Sequence, residues 1–563
     1  MFNKKGVLTM KKDILQVLQP FSPVPLDENM LERPVHTHLG DLALPCFPFA
    51  KVLRKSPVVI ADEIASAINH PLIHKAEAVN GYVNIFLNRS PITSALLQKV
   101  LDQSESYGSS NKGNGDVVTI DLSSPNIAKP FSMGHLRSTV IGNSLSLLLE
   151  KNGFKTVKIN YIGDWGTQFG KLLTAYKKWG NEREVQQAPI QTLLKLYIRF
   201  HEEAETDDSL NDKGRAAFKA LEEGDKEALA LWEWFKTESL KEFQRIYDLL
   251  GMTFDSYNGE AYYNDKMEPI VDELIAKNLL VKSDGALVVE LGDDIPPCLI
   301  KKSDGATLYA TRDLTAAIDR KKTYKFVKSL YVVGNEQSLH FTQVKKVLSK
   351  MGYEWADTIE HIPFGLILKD GKKMSTRKGK IVLLEEVLTE AITLAQSTIE
   401  AKNPNVVNKA AIAKAVGVGA IIFGDLKQHR KHDIEFNLET MLQTEGETGP
   451  YAQYAYARAK SVLRKAGDMQ PYRVDAVNDF EWEVIKTLEQ FTQTIQRAAD
   501  ELDPSIIAKY AIDLAQTFSS FYGNVKVLSD TDYAPYRIAL ITSTAIVLKE
   551  ALRLLGLKAP EEM

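Results

Sequence analysis

The chain has 563 residues, too many for one hydrophobic core, so two to four domains are expected. Its residues are 44% hydrophobic and 25% charged with a net charge of −4, which excludes a disordered chain and a protein coated with basic charge. Its two cysteines, Cys46 and Cys298, exclude a disulfide framework and a four-cysteine zinc site.

No segment reads as a membrane span or a signal peptide. The longest apolar run, residues 415–424, is too short to cross a bilayer. The first residues, MFNKKGVLTMKKDILQ, lack the apolar stretch of a signal peptide. We therefore expect no membrane partner and a cytoplasmic location.

The first predicted domain covers residues 1–115 and combines helices with a strand. Helical spacing predicts helices over Asp13–Leu18 and Pro57–Ile68. Gly81–Leu87 alternates as a half-buried strand does, and the Ser-, Gly- and Asn-rich segment Ser104–Gly115 is typical of a linker. No catalytic cluster occurs here, so a structural or binding appendage is expected.

The stretch Val117–Gly142 predicts a strand, a polar loop and a helix. Its first four residues are β-branched or strand-forming, and turn-forming residues follow at 123–126. Helical spacing of apolar residues begins at Gly134. Such a loop directs unpaired backbone N–H groups at an anion such as phosphate, and His135 and Lys129 can donate hydrogen bonds to it. An ordinary strand–helix crossover with a polar loop is the alternative.

A second strand, Thr156–Ile162, runs into the turn GDWG at 163–166, and a helix begins near Gln168. This β–α–β unit predicts a parallel sheet, with both polar loops at the carboxyl ends of its strands. Residues 171–280 are charged and helical in pattern, which predicts a helical insertion between the two halves of the sheet.

The sheet is expected to resume after the insertion. Its predicted elements are strands at Ala286–Leu291, Cys298–Lys301 and Thr307–Ala310 around a turn at residues 303–305, then strands at Leu330–Val333 and His361–Ile367. Tyr309 and Asp313 are four residues apart and share a face if the following helix has begun. Gln337 and His340 stand at the start of a later helix. Taken singly, each can be structural or functional.

The segment DGKKMSTRKGK, Asp370–Lys380, holds many cations and one apolar residue, Met374. It is either a basic surface loop or a loop that closes over polyphosphate and stabilises developing negative charge. Together with the loop before Gly134, it indicates a nucleoside-triphosphate site.

These segments carry a family resemblance. SMGHLRS resembles the HIGH signature of class I aminoacyl-tRNA synthetases, and KMSTRKG resembles their KMSKS loop. SSPNIAKPFSMGHLRST, GDWGTQFG, LYATRDL, VVGNEQSLHF and EGETGPYAQYAYAR are similar to arginyl-tRNA synthetases over essentially the whole chain. The resemblance implies a multidomain α/β protein: a Rossmann-type parallel-sheet catalytic core with a helical insertion, an α+β N-terminal domain and an all-α C-terminal bundle.

The resemblance also implies the domains and the reaction. It implies a tRNA-elbow-binding domain at 1–115, a catalytic domain at 116–438 and an anticodon-binding domain at 439–563. The expected reaction joins L-arginine to ATP as arginyl-adenylate, releases pyrophosphate, and transfers arginine to the 3′ end of its tRNA. ATP and Mg²⁺ are expected as reactants, without a tightly bound cofactor or a metal held by the protein, and the expected oligomeric state is a monomer.

Residue roles carried over from the family fall into three sets. The predicted catalytic residues are His135, Lys129, Lys373, Ser375 and Arg377. The predicted arginine-binding residues are Asp121, Ser124 and Asn126 near the α-amino group, with His135, Tyr309, Asp313, Gln337 and, by a weaker match, Glu260. The predicted ATP-binding residues are Ser132, Gly134, His135, His340, Lys373, Met374 and Ser375.

Two positions depart from the family pattern. Ser132 replaces the first histidine of HIGH, and Thr376 replaces the second lysine of KMSKS, for which Lys129 resembles a compensating family lysine. An inactive paralogue that binds tRNA or senses arginine is therefore one alternative. A class I synthetase for another amino acid is a second, against which Asp313 and Tyr309 argue.

The C-terminal region has helical periodicity over four stretches: Tyr454–Leu463, Glu481–Leu502, Pro504–Tyr522 and Tyr536–Leu555. Tyr451, Tyr454, Tyr456 and Arg458 lie close together in the sequence, and aromatic and arginine side chains on one surface suit stacking on unpaired RNA bases. Burial in the core of a helical bundle is the alternative for each tyrosine.

Overall fold

The computed structural model describes residues 10–34, 36–303, 309–374, 376–377, 380–529 and 532–563, without the side chains of residues 37, 376, 377, 380 and 381. By their internal contacts, these residues form two compact units. One contains the described part of Met1–Gly108 with Ala455–Thr494 and Tyr510–Glu550. The other contains Ser109–Tyr454, Ile495–Lys509 and Ala551–Met563. The predicted domain boundaries at 115 and 438 stay a prediction.

The N-terminal part of the first unit is α+β, as expected. Its elements are α1 Met10–Leu18, β1 Leu42–Pro45, α2 Ala50–Leu53, α3 Pro57–Ala67, β2 Ile73–Val79, β3 Tyr82–Leu87 and α4 Arg89–Gln103. The three strands pair antiparallel in the order β1-β3-β2. Val83 and Ile85 of the central strand are fully buried, which is why the sequence there alternates. Tyr107, in the predicted linker, is also buried.

The second unit is built on a four-stranded parallel sheet of order β10-β9-β4-β5. Its elements are β4 Val117–Asp121, α5 Leu136–Lys151, β5 Lys155–Ile159, β9 Lys328–Gly334, α13 Ser338–Lys350 and β10 Ile359–Phe364. β4 pairs in parallel with β5 on one side and with β9 on the other. The chain therefore reverses its strand order between β4 and β9, where parallel sheets bind ligands beyond the strand ends.

The insertion is helical, as predicted. Its helices are α6 Thr167–Trp179, α7 Glu182–Gln187, α8 Pro189–Ala204, α9 Ser209–Glu222, α10 Lys226–Leu250 and α11 Met267–Ala276, and a 3₁₀ segment covers Glu260–Lys266. The longest, α10, begins where the Asp225 side chain accepts a hydrogen bond from the Ala228 N–H, and it ends at Gly251, whose φ of +71° favours glycine.

The sheet does resume at β9 and β10, but the first strands after the insertion are not part of it, so the prediction is wrong for Ala286–Leu291 and Cys298–Lys301. β6 Leu280–Ser283, β7 Ala286–Val289 and β8 Cys298–Lys301 form a separate antiparallel sheet. The predicted strand over 307–310 is also wrong where it is described, because Tyr309 and Ala310 begin helix α12, Tyr309–Tyr324. Residues 304–308, including most of the predicted turn, lie outside the described part. Alternation and short length do not tell which sheet a strand joins.

The predicted strand His361–Ile367 is two elements. β10 ends at Phe364, and β11 Ile367–Lys369 pairs with β12 Lys372–Lys373 and β15 Ile434–Glu435 in another small sheet. The backbone of the basic loop also forms a short hairpin, β13 Thr376–Arg377 with β14 Lys380–Ile381. Two helices that the sequence analysis does not predict follow this hairpin: α14 Leu384–Lys402 and α15 Lys409–Leu426. The apolar run at 415–424 lies in α15 and is buried.

The C-terminal region is helical, as predicted. Its helices are α16 Leu438–Met441, α17 Gly449–Ala466, α18 Asp479–Glu489, α19 Phe491–Asp500, α20 Ser505–Asn524 and α21 Ala534–Leu554. The predicted helix over 481–502 is thus two helices. Among the helices searched in the described residues, none is long and apolar enough to cross a bilayer.

Candidate functional site

A cavity of about 290 Å³ opens at the strand-order reversal between β4 and β9. It receives side chains from the ends of both strands and from the segments that follow them. Eleven of the predicted site residues line it: Asp121, Ser124, Asn126, Gly134, His135, Glu260, Tyr309, Asp313, Gln337, His340 and Lys373. These residues span more than 250 positions of sequence, and the parallel sheet brings them together.

Five predicted residues are not among those that line the cavity. Ser132 directly precedes the turn Met133–His135 and bridges Leu383, Lys129 lines a smaller cavity beside α6, and Met374 is a buried residue of the basic loop. Ser375 lies outside the described residues, and the side chain of Arg377 is not described. The predicted site roles of these five residues therefore stay predictions.

The loop after β4 is held in a strained conformation by buried hydrogen bonds. Ser123 and Ser124 have φ of +71° and +51°, which non-glycine residues rarely adopt. The Ser123 N–H donates to Ser138 Oγ at 2.9 Å, and the Ser124 N–H donates to Asn160 Oδ1 at 3.2 Å. These bonds direct the Ser124 hydroxyl to Asp121 Oδ1, 2.9 Å away, at the rim of the cavity.

The two polar loops lie together, as predicted. Asn126 and Gly163 form a parallel bridge, in which the Ile127 N–H donates to the Gly163 carbonyl at 3.1 Å. A Cβ at Gly163 would meet Asn126 Oδ1 at 2.0 Å, so only glycine allows this approach. The contact fixes Asn126 against the GDWG turn at the edge of the cavity.

His135 is presented by the 3₁₀ turn Met133–His135 at the start of α5. The Ser132 N–H donates to His135 Nδ1 at 3.1 Å, so a neutral imidazole carries its proton on Nε2. Burial, with the charge of Lys129 adding to it, lowers the pKa of His135. Beside it, a Cβ at Gly134 would meet only Ser132 Oγ, at 3.4 Å, so the cavity at this turn is open to a ligand.

Two further carboxyl groups, Asp313 and Glu260, line the cavity. Asp313, on α12, is 8% exposed, and its Oδ2 lies 2.6 Å from His340 Nε2 on α13. Tyr309 stands one turn earlier on α12, with its ring edge-on to that of His340. Burial raises the pKa of Glu260 to about 7; the charge of Arg312 opposes this rise, and the charges of Asp164 and Asp313 add to it. His340, which the family resemblance places at ATP, thus lies against Asp313, the carboxylate predicted to bind the side chain of the substrate arginine.

The basic loop is tied to the turn that carries His135. The Met133 N–H donates to the Val382 carbonyl at 3.0 Å, and the Leu384 N–H donates to the Phe131 carbonyl at 3.0 Å. At the other end of the loop, the N–H of buried Met374 donates to the Ile367 carbonyl at 2.8 Å. Lys373 lines the cavity from the end of the loop that is anchored to β11, and the opposite end is anchored to the turn that carries His135.

Sequence reasoning missed several buried partners of the site. Arg320 pairs with Asp121, Nη1 to Oδ2 at 2.8 Å, and Tyr161 and Tyr331 flank it. Arg137 on α5 pairs with Asp425 on α15, Nε to Oδ2 at 3.3 Å. Charged residues within apolar helical patterns are the signal that could have found the two arginines, but their partners are far away in sequence.

The predicted RNA-stacking cluster is not one exposed surface. Tyr456 is 3% exposed, so for this tyrosine the alternative, burial in the core, is confirmed. Arg458 lies over the ring of Tyr522, with 5.6 Å from Cζ to the ring centre. Aromatic spacing on α17 alone could not tell a buried face from an exposed one. Within the residues searched, three or more His, Cys, Asp or Glu side chains nowhere converge as a metal site.

Comparison with known proteins identifies the family. Residues 92–438 match the model of the catalytic domain of class I (R) tRNA synthetases, residues 452–563 match the DALR anticodon binding domain, and residues 8–87 match the arginyl tRNA synthetase N-terminal domain. Arginine–tRNA ligase 1 of Bacillus cereus is 56% identical over 95% of this chain and 96% of its own. Arginine–tRNA ligase of Enterococcus faecalis is 53% identical over 100% of both chains.

A solved structure agrees with these relatives. The arginyl-tRNA synthetase of Thermus thermophilus superposes with a TM-score of 0.81 at 26% identity, covering 98% of this chain and 99% of that one. The matched catalytic model holds the entire parallel sheet and every residue that lines the cavity. The chain belongs to the arginyl-tRNA synthetase family of class I aminoacyl-tRNA synthetases.

Proposed function

We propose that the cavity between β4 and β9 is where this arginine–tRNA ligase forms arginyl-adenylate. The carboxylate of L-arginine attacks the α-phosphorus of ATP, the bond to the bridging oxygen breaks, and pyrophosphate leaves with its electron pair. The arginyl group then passes to the 3′ end of tRNA with release of AMP. The observation that carries the assignment is that carboxyl groups and an anion-directed turn line one cavity.

Asp313 is the proposed partner of the substrate guanidinium. It is nearly buried, and a carboxylate provides the charge and planar acceptor geometry that a guanidinium needs. Glu260 provides a second carboxyl group close enough for its charge to interact with that of Asp313. Tyr309 and Gln337 line the same cavity and would pack against and hydrogen-bond the substrate. An uncharged analogue would leave Asp313 without its partner, so we expect strong rejection without an editing site.

The α-amino group is proposed to lie at the other polar end. Asp121, Ser124 and Asn126 line the cavity there, and the strained loop fixes their positions before substrate binds. Asp121 retains Oδ1, with its Ser124 neighbour, as an acceptor on the cavity side. An ammonium group is compact and needs only single acceptors, which suits this end.

The triphosphate is proposed to lie over Gly134 and His135, with Lys373 above it. Adenylation needs in-line positioning and stabilisation of charge on the phosphate, more than covalent help. An imidazole Nε2–H and an ammonium group both donate to phosphate oxygens. In this proposal Mg²⁺ enters with ATP, whose oxygens are the hard ligands it prefers. Ser132, Lys129, Met374, Ser375 and Arg377 remain predicted contributors.

The tRNA contacts and the setting are also part of the proposal. The N-terminal domain is proposed to touch the tRNA elbow, and the C-terminal helices are proposed to bind the anticodon, in keeping with the matched domain descriptions. We further propose that the enzyme is a cytoplasmic monomer. Sedimentation of the purified chain, alone and with arginine tRNA, tests the stoichiometry.

ATP–pyrophosphate exchange tests the central proposal. Exchange is measured with each of the standard amino acids, with and without tRNA transcribed for arginine. We expect exchange with arginine and none with lysine, and citrulline, tested beside the standard amino acids, should be a poor substrate. Absence of exchange under every condition would support an inactive paralogue, and exchange with another amino acid would refute the guanidinium site.

A further inference from the structure

We propose that Arg320 is a positioning residue for arginine recognition, because it holds the buried carboxylate of Asp121 in place as the acceptor for the substrate's α-amino group. This inference rests on the proposed function of the cavity. Arg320 itself does not line the cavity among its described residues, so it acts through Asp121.

The geometry places Arg320 against Asp121, and the hydroxyl groups of Tyr263 and Tyr331 also hydrogen-bond to this arginine. It lies on α12, two helical turns after Asp313, and is 2% exposed. Its Nη1 donates to Asp121 Oδ2 at 2.8 Å. Its Cζ lies 5.1 Å from the ring centre of Tyr161 and 5.4 Å from that of Tyr331, both of which line the cavity. A guanidinium flanked by two rings and fixed to one carboxylate cannot swing toward the ligand.

Arg320 favours the ionised form of Asp121. Burial raises the pKa of the Asp121 carboxyl group, and the charge of Arg320 and its hydrogen bond oppose that rise. A buried carboxyl group that loses its arginine partner takes up a proton more readily. The protonated group is a weaker acceptor for an ammonium ion than the carboxylate is. The contact therefore supports the charge that attracts the α-amino group.

Arg320 also makes the carboxyl groups of the cavity different. It occupies Asp121 Oδ2, which leaves Oδ1, already the acceptor of the Ser124 hydroxyl, for the substrate. One remaining acceptor position suits an ammonium group better than the two-pronged guanidinium. Asp313 and Glu260 supply the two carboxyl groups that can meet a guanidinium. Because α12 carries both Asp313 and Arg320, one helix determines which end of arginine goes where.

The test uses ligands that lack one end of arginine. Agmatine keeps the guanidinium and amino groups without the carboxylate, and 5-guanidinopentanoate keeps the guanidinium and carboxylate without the α-amino group. Dissociation constants are measured by calorimetry for the full chain, Arg320→Met, Arg320→Lys and the double variant Asp121→Asn with Arg320→Met. Lys321→Met, the next residue on α12 and outside the cavity, is the matched control.

We expect Arg320→Met to weaken arginine and agmatine binding by about 10- to 100-fold, the scale of one charge-assisted hydrogen bond. Binding of 5-guanidinopentanoate should change less than about twofold, because this ligand has no α-amino group to contact Asp121. Arg320→Lys, which keeps the charge, should regain part of the preference for arginine over 5-guanidinopentanoate. The double variant should lack that preference, and Lys321→Met should match the parent.

Three outcomes separate the two proposals. If the parent binds neither arginine nor agmatine, the proposed function of the cavity fails, and this inference fails with it. If the parent binds both and Arg320→Met weakens all three ligands equally, Arg320 is merely structural, and the cavity assignment stands. Should Arg320→Met not fold, an unchanged ligand preference in Arg320→Lys or in the double variant would overturn the inference.

Discussion

Replacing Asp313 with Asn removes the charge from the proposed guanidinium partner while keeping its size. Asp313 is 8% exposed, and its Oδ2 already touches His340 Nε2 at 2.6 Å, a contact that an amide can also make. The local fold should therefore survive the change, and its effect should fall on the substrate, whose guanidinium is left beside a neutral group.

The magnitude follows from burial. Truncating one partner of a buried, hydrogen-bonded charge pair costs about 2–5 kcal/mol, chiefly because the other charge is left unpaired. At about 1.4 kcal/mol for each tenfold change, Asp313→Asn should lose roughly 30- to 4,000-fold in kcat/KM for arginine. Glu260 still faces the guanidinium, so the loss should be smaller at pH 8, where that carboxyl group is largely ionised, than at pH 6.

The assay is ATP–pyrophosphate exchange at varied arginine and varied ATP. The KM for ATP should be nearly unchanged, and citrulline, a neutral isostere and poor substrate of the parent, should lose far less activity. Asp319→Asn is the control, since Asp319 lies on the same helix but pairs with Lys266 at a partly exposed position, 3.3 Å away. If Asp313→Asn kept the parental kcat/KM for arginine, the aspartate would be structural and Glu260 the next candidate.

Three further predictions concern the rest of the cavity. His135→Ala should slow adenylation by roughly 10²-fold, the scale of one lost transition-state donor, with less change in arginine affinity. A parental exchange rate in this variant would contradict the proposed phosphate site, and His201→Ala in the insertion is the control. Trypsin cleavage after Arg377 should be suppressed by ATP with Mg²⁺, because phosphate would draw the basic loop away from the protease; equal cleavage with and without nucleotide would refute closure over ATP. Arginine affinity should rise as pH increases through about 7, because the guanidinium favours ionised Glu260 and arginine binding therefore releases a proton. Calorimetry in buffers of different ionisation enthalpy measures this proton release, and Glu260→Gln should abolish it.

The same carboxyl group has an opposite effect on folding. Its pKa is higher in the folded chain than the ordinary value of 4.5, so between those two values the folded state binds more protons than the unfolded state. The free energy of unfolding therefore falls as pH rises from about 4.5 to about 7 on account of Glu260. Burial makes the ionised form of Glu260 unfavourable while no ligand is bound, and this ionised carboxylate therefore attracts a cation such as the guanidinium.

The sequence by itself determined the local elements and the chemistry of the site. Strand-forming residues followed by turn residues predicted β4 and its loop, and Gly134 marks the region where helical spacing begins. The family motifs predicted eleven of the residues that line the cavity, because each motif is a short continuous segment of the sequence. Local strands, turns and motifs depend on residues that are neighbours along the chain, so they can be predicted from the sequence.

Only the tertiary structure decided which distant groups meet. The strands β7 and β8 are predicted in the main sheet, yet they form a separate sheet with β6, because strand pairing depends on distant partners that the alternation within one strand does not reveal. His340 lies against Asp313, and Arg320 holds Asp121, although 27 and 199 positions separate the members of these pairs. Burial gives these contacts their strength, and burial is a property of the packed molecule rather than of any segment.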